Sequence, residues 1–149
     1  MNTYYWIYPI YTGILAIALI VLVPKKNIRK LFPWGIIVGG IGDISAILLF
    51  TKLLGVGGYI NFGPFGFKGI PFFPLLAWSI WFIMYFYFFP VNSTYLKYIY
   101  VFTAAAYSVI FSNILINLNI FYWNYGNIII PFLIYISWFS VAIWIKYKK

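Results

Sequence analysis

The chain has no cysteine, no histidine and no glutamate, and a single acidic residue, Asp43, stands among 149 positions. Without cysteine there are no disulfides, no thiolate metal sites and no thiol nucleophile. Without histidine the commonest metal ligand and the usual general base are missing as well. A lone carboxylate cannot form the acid and base pair of hydrolytic chemistry, so no enzyme activity, no metal and no cofactor is expected. Charge is scarce overall, at 7% of residues, where a soluble domain carries about a quarter.

Apolar mass takes the place of charge. Hydrophobic residues make up 65% of the chain and aromatics 26%, which places the whole chain in lipid as one polytopic transmembrane domain over 1–149. Windows of hydropathy predict an all-α membrane protein with five transmembrane helices at 4–23, 32–54, 72–89, 98–118 and 128–145. The first run has no basic stretch before it and no small-residue cleavage site after it, so it reads as a retained helix. No internal repeat is visible, which argues against an inverted-repeat transporter.

The net charge of +9 calls for no nucleic acid, because the basic residues flank membrane segments. Lys25, Lys26, Arg29, Lys30, Lys97, Lys146, Lys148 and Lys149 fall on one side of the five-span layout, and Lys52 and Lys68 on the other. By the positive-inside rule the first group is cytoplasmic, the N-terminus lies outside and the C-terminus inside. Anionic lipid headgroups are the expected neighbours of these cations.

Asp43 lies in the second run, LFPWGIIVGGIGDISAILLFTKLL. At about 1.5 Å per residue it stands roughly 16 Å from the basic end, near the middle of a hydrocarbon core about 30 Å thick. Ionised side chains at that depth cost at least about 2.5–3.5 kcal/mol, so they face protein or water and are candidate ion or proton sites. Gly35, Gly39, Gly42 and Ala46 recur at steps of four, three and four, a close-packing face for a neighbouring helix. Lys52 is set on the opposite face and is expected to reach for the outer interface.

Residues 55–71, GVGGYINFGPFGFKGIP, hold too many glycines and prolines for a helix and too many aromatics for open water. They predict an ordered outer loop, either a cap over the helix ends or a re-entrant segment, with a short hairpin at 59–67. The third run is almost wholly aromatic and aliphatic and is expected to face lipid. The fourth is the most polar: Ser108 and Ser112 share one face, Asn113 and Asn117 another. It is expected to pack on the second run and supply Asp43 with hydrogen bonds from Ser112 or Asn113.

In order and layout, VPKKNIRKL after the first run, the Gly-rich turn with Tyr59, the aromatic third run ending at Pro90 and IFYWNYGN leading into IYISWF resemble a family of small five-helix integral membrane proteins of unknown function from spore-forming Firmicutes. The resemblance implies a multi-pass protein of a bacterial cytoplasmic (inner) membrane, with a spore membrane as one setting, and implies no activity. Two functions remain open from the residues themselves. One is an accessory or assembly protein whose buried Asp43 fixes helix packing, with a second copy or another membrane protein as partner. The other is an oligomeric channel, or a proton- or cation-coupled carrier, with Asp43 as its ion site.

Overall fold

The computed structural model describes residues 3–148 and contains five helices joined by two short β-ribbons. Lys149, counted above with the cytoplasmic cations, lies outside the described residues. Helix α1 covers Tyr4–Leu22, α2 Lys25–Leu53, α4 Thr94–Asn117 and α5 Ile129–Tyr147, and these four are long and apolar enough to cross a membrane. Helix α3, Phe72–Tyr87, is shorter at 16 residues, about 24 Å of helix.

The basic segment 25–30, which the hydropathy pattern leaves as a loop, is the first turn and a half of α2. Pro24 holds φ at −59° ahead of the helix, and its carbonyl accepts from the Asn27 and Ile28 N–H groups at 2.9 and 3.0 Å. Helix α4 likewise starts before the apolar run does. Ser93 caps it, its Oγ accepting from the Leu96 N–H at 3.3 Å, as serine does at helix starts.

Helix α2 is not uniformly α-helical. Its hydrogen bonds widen to the π pattern over Gly35–Ile41 and again over Ile47–Leu53, and the five α-helical residues between them, Gly42–Ala46, include Asp43. Pro33, which lacks an N–H, precedes the first widening. π segments are rare and concentrate at functional sites.

Helix α3 is the hub. It packs against α1 and α2, while α4 packs on α5. The expected pairing of the second run with the fourth is therefore replaced by α2 on α3. The reason is steric: a Cβ built on Gly39 would fall 2.4 Å from the Trp78 carbonyl oxygen, and one on Gly35 would fall 2.7 Å from that of Ser79. The bare backbone of α2 lets α3 come closer than any side chain would allow. For the same reason α3 does not mainly face lipid. Its Ala77, Ser79 and Phe82–Phe86 residues are buried, and Phe82 meets Phe139 of α5 edge to face with centroids 5.6 Å apart.

The five helices run back and forth between two ends. At one end strand β1, Gly57–Tyr59, pairs antiparallel with β4, Phe121–Trp123, tying the α2–α3 loop to the α4–α5 loop. The Tyr8 hydroxyl of α1, fully buried, lies 2.5 Å from the Ile60 carbonyl and 2.7 Å from that of Ile120. Its one proton serves one carbonyl at a time and holds the ribbon to α1. Strands β2, Gly66–Phe67, and β3, Ile70–Pro71, form the second ribbon, so the hairpin lies downstream of the expected 59–67. Lys52 and Lys68 are at this end, the Lys52 ammonium donating to the Lys68 carbonyl at 2.6 Å. At the other end Lys146 of α5 stands 5.5 Å from the ring centres of both Trp34 and Phe86.

Candidate functional site

Asp43 is 3% exposed, which is unusual for a carboxyl with no basic partner among the described residues. Its neighbour is Tyr59, the last residue of β1, which enters the helix bundle from the loop and donates from Oη to Asp43 Oδ1 at 3.3 Å. Trp78 of α3 donates from Nε1 to that same phenolic oxygen at 2.9 Å. Burial, and after it the charge of Asp43, pushes the Tyr59 phenol well above its ordinary titration range. Tyr59 thus keeps its proton and acts as the donor. The result is a directed chain, Trp78 N–H to Tyr59 O–H to Asp43, that joins α3, the loop and α2.

That chain satisfies one carboxyl oxygen. Among the described residues nothing bonds to Asp43 Oδ2, although it is buried. Buried polar atoms are nearly always paired, and one that is not calls for an explanation: a bound water or ion, a redox or catalytic role, or strain. The Asp43 side chain lines a cavity of about 50 Å³ whose walls include Phe50, Tyr59, Trp78, Trp123, Tyr135 and Trp138. A water-sized group needs roughly 10–15 Å³ of such space. The cavity therefore has room for a small ligand beside the one acid of the chain, with aromatic rings around it.

The rings are firmly placed. Trp138 of α5 crosses to α2, where its Nε1 donates to the Val38 carbonyl at 3.2 Å, and its ring lies 4.6 Å from that of Trp78. Trp123 donates from Nε1 to Ser112 Oγ at 3.1 Å. Thr51, near the β-ribbon end of α2, donates to the Gly57 carbonyl at 2.6 Å and anchors β1 over the cavity.

The polar residues of α4 go elsewhere. Ser108 and Ser112 are buried but donate to carbonyls of their own helix, Ala104 and Val109, both at 2.9 Å. Asn113 clamps the α4–α5 loop, its Oδ1 accepting from Asn127 Nδ2 at 2.6 Å, and Asn117 is exposed. Neither Ser112 nor Asn113 bonds Asp43, because α3 and Tyr59 occupy the space beside it. Ser112 is nonetheless one bond removed from the site, through Trp123.

The four small residues of α2 are divided between two neighbours. Gly35 and Gly39 meet α3, whereas a Cβ on Gly42 would touch Trp138 Nε1 at 3.0 Å. Ala46 lines the cavity with Asp43. The widened turn between Gly39 and Gly42 changes the helical phase, so a spacing that shares one face in an α-helix turns to a second face here.

Tyr59, Trp78, Trp123 and Trp138 are the site residues that periodicity does not single out. Tyr59 sits in a glycine-rich loop without period, Trp78 and Trp138 sit in runs that are almost wholly apolar, and Trp123 sits in the loop before the last helix. No protein-family model, no curated protein and no solved structure matches this chain.

Proposed function

We propose that the chain is a multi-pass protein of a bacterial cytoplasmic membrane that holds a small monovalent cation at Asp43. The observation that carries this reading is the buried, unpartnered Oδ2 of a carboxyl lining an aromatic-walled cavity. One carboxylate balances one positive charge, and ring faces attract cations without adding acceptors. Divalent ions take six or more oxygens, and among the described residues no group of three metal-ligating side chains occurs. A cavity closed at the outer end by paired backbone fits a carrier or a sensor better than an open pore.

In this proposal all five helices cross the bilayer, α3 included, with the N-terminus outside. The sorting of the chain's basic residues supports it, since Lys25, Lys26, Arg29, Lys30, Lys97, Lys146 and Lys148 belong to the end opposite the β-ribbons. A second reading, an accessory protein whose acid fixes assembly, draws on the Trp78–Tyr59–Asp43 chain, which ties two helices and a loop through one carboxyl.

Tryptophan fluorescence and thermal stability of the purified protein separate the two. Ammonium, potassium and sodium chlorides are titrated against choline chloride at equal ionic strength. A cation site gives a saturable stabilisation with at least one of the three, and Asp43→Asn, which keeps the size of the side chain, folds but loses the response. A wild type indifferent to all three ions, or an Asp43→Asn variant that still responds, leaves the assembly reading.

A further inference from the structure

Beside the Asp43 cavity lies a larger space. Between α2 and α5 runs a groove of about 680 Å³ lined by residues such as Ile37, Leu49, Ile130, Leu133, Val141 and Ile145. It shares Ala46, Phe50, Ile134 and Trp138 with the walls of the Asp43 cavity. Its lining holds no charged residue, and Ser45 and Ser137, its hydroxyls, are each spent on a carbonyl of their own helix. Ile37, Leu49, Leu133, Val141 and Ile145 are exposed on its rim, so in a bilayer the groove opens sideways into lipid. The β1–β4 ribbon covers the outer end of the bundle, and the packed rings of Phe82, Phe86 and Phe139 fill the core beneath Trp138.

Resting on the reading of Asp43 as a cation site, we propose that its ligand is a cationic amphiphile, a long-chain primary ammonium. It reaches the site laterally from the bilayer, places its NH₃⁺ group in the Asp43 cavity and lays its alkyl tail in the α2–α5 groove. Charge complementarity selects this occupant. An uncharged acyl chain could fill the groove but would leave the chain's only acid unpaired, and a free inorganic cation would pair the acid but has no use for the groove. A primary ammonium is close to water in size and fits within about 50 Å³. Its three donors can meet Oδ2 in a cavity walled in part by Trp78 and Trp138. Because lipid is as apolar as the groove, the tail gains little by moving into it. It supplies alignment and membrane delivery, and the head supplies the preference.

The test uses the full chain in lipid nanodiscs, with tryptophan fluorescence as readout and dodecylammonium, dodecanol and ammonium chloride as probes. Wild type should respond saturably to dodecylammonium at a bulk concentration at least a hundredfold below that needed for ammonium, and not to dodecanol. Ser45→Phe and Ser137→Phe, at exposed groove positions, should weaken the dodecylammonium response tenfold or more and leave the ammonium response within twofold. Equal saturation by dodecanol would mean that any acyl chain sits there and would overturn the proposal. So would a change in the oligomeric state of the protein with either phenylalanine variant, which would assign the groove to a second copy, or groove variants that bind dodecylammonium like wild type. Loss of every cation response in wild type would instead remove the cation reading itself, which keeps the two failures distinct.

Discussion

Tyr59 donates to Asp43 from a loop, across 3.3 Å, while its own oxygen accepts from Trp78. A residue outside the helices thus completes the surroundings of the one acid inside them. Tyr59→Phe keeps the ring and removes both bonds, leaving Asp43 Oδ1 and Trp78 Nε1 unpaired. Each buried orphan costs about 1–3 kcal/mol. The variant should melt measurably lower in detergent and show altered tryptophan emission. An unchanged melting temperature would mean that the chain contributes nothing to the fold.

The contact between α2 and α3 gives a sharper contrast. At Gly39 a methyl group would meet backbone at 2.4 Å, whereas at Gly13 of α1 nothing lies within 4 Å. Gly39→Ala should therefore force the helices apart and destabilise by about 1–3 kcal/mol. Gly13→Ala should be neutral or stabilise by up to about 1 kcal/mol through helix propensity. Equal thermal stability of the two variants would contradict the close approach.

Much of this architecture is legible in the residues, for identifiable reasons. Apolar runs announce α1, α2, α4 and α5, and the isolation of Asp43 marks it at sight. The surroundings of Asp43 are not legible. Uniform hydropathy cannot tell a helix facing lipid from one facing protein, so the aromatic α3 gives no sign of being the hub. Helical phase carries Gly39 and Gly42 onto one face only while the turns stay α-helical, and the π segments of α2 break that count. Tyr59 reaches Asp43 because β1 pairs with β4, some sixty residues away in the chain, and neither short strand has a periodic signature.

Topology is open to direct measurement. With the basic end in the cytoplasm, reporter fusions at Lys26, Lys97 and Lys148 should read as internal, and fusions at Gly58 and Asn124 as external. The Gly58 and Asn124 fusions stand or fall together, because their loops are bonded, Asn124 Nδ2 donating to the Gly55 carbonyl at 2.6 Å. Opposite readings at these two positions would refute the shared end, and an internal reading at both would invert the orientation.

Tyr8 offers a test of what closes the β-ribbon end of the bundle. Its hydroxyl lies between the Ile60 and Ile120 carbonyls, and the Ile60 N–H donates to that same Ile120 carbonyl at 3.1 Å. Three distant parts of the chain, α1 and the two loops, therefore meet at one phenol. Tyr8→Phe leaves the ring, which fills its place in the core beside Leu115, Ile120 and Phe121, and removes only the proton that the carbonyls share. The ribbon keeps its own ladder, so the fold should persist, but its opening should become easier by about 0.5–1.5 kcal/mol, the net value of one such bond. Amide hydrogen exchange is the matching measurement, since it reports local opening. Exchange at Ile60 and through β1 and β4 should quicken roughly two- to tenfold in Tyr8→Phe, while amides in the middle of α3 keep wild-type rates. Quickening everywhere at once would show that Tyr8 supports the whole bundle, and no quickening at β1 would show that the ribbon holds without it.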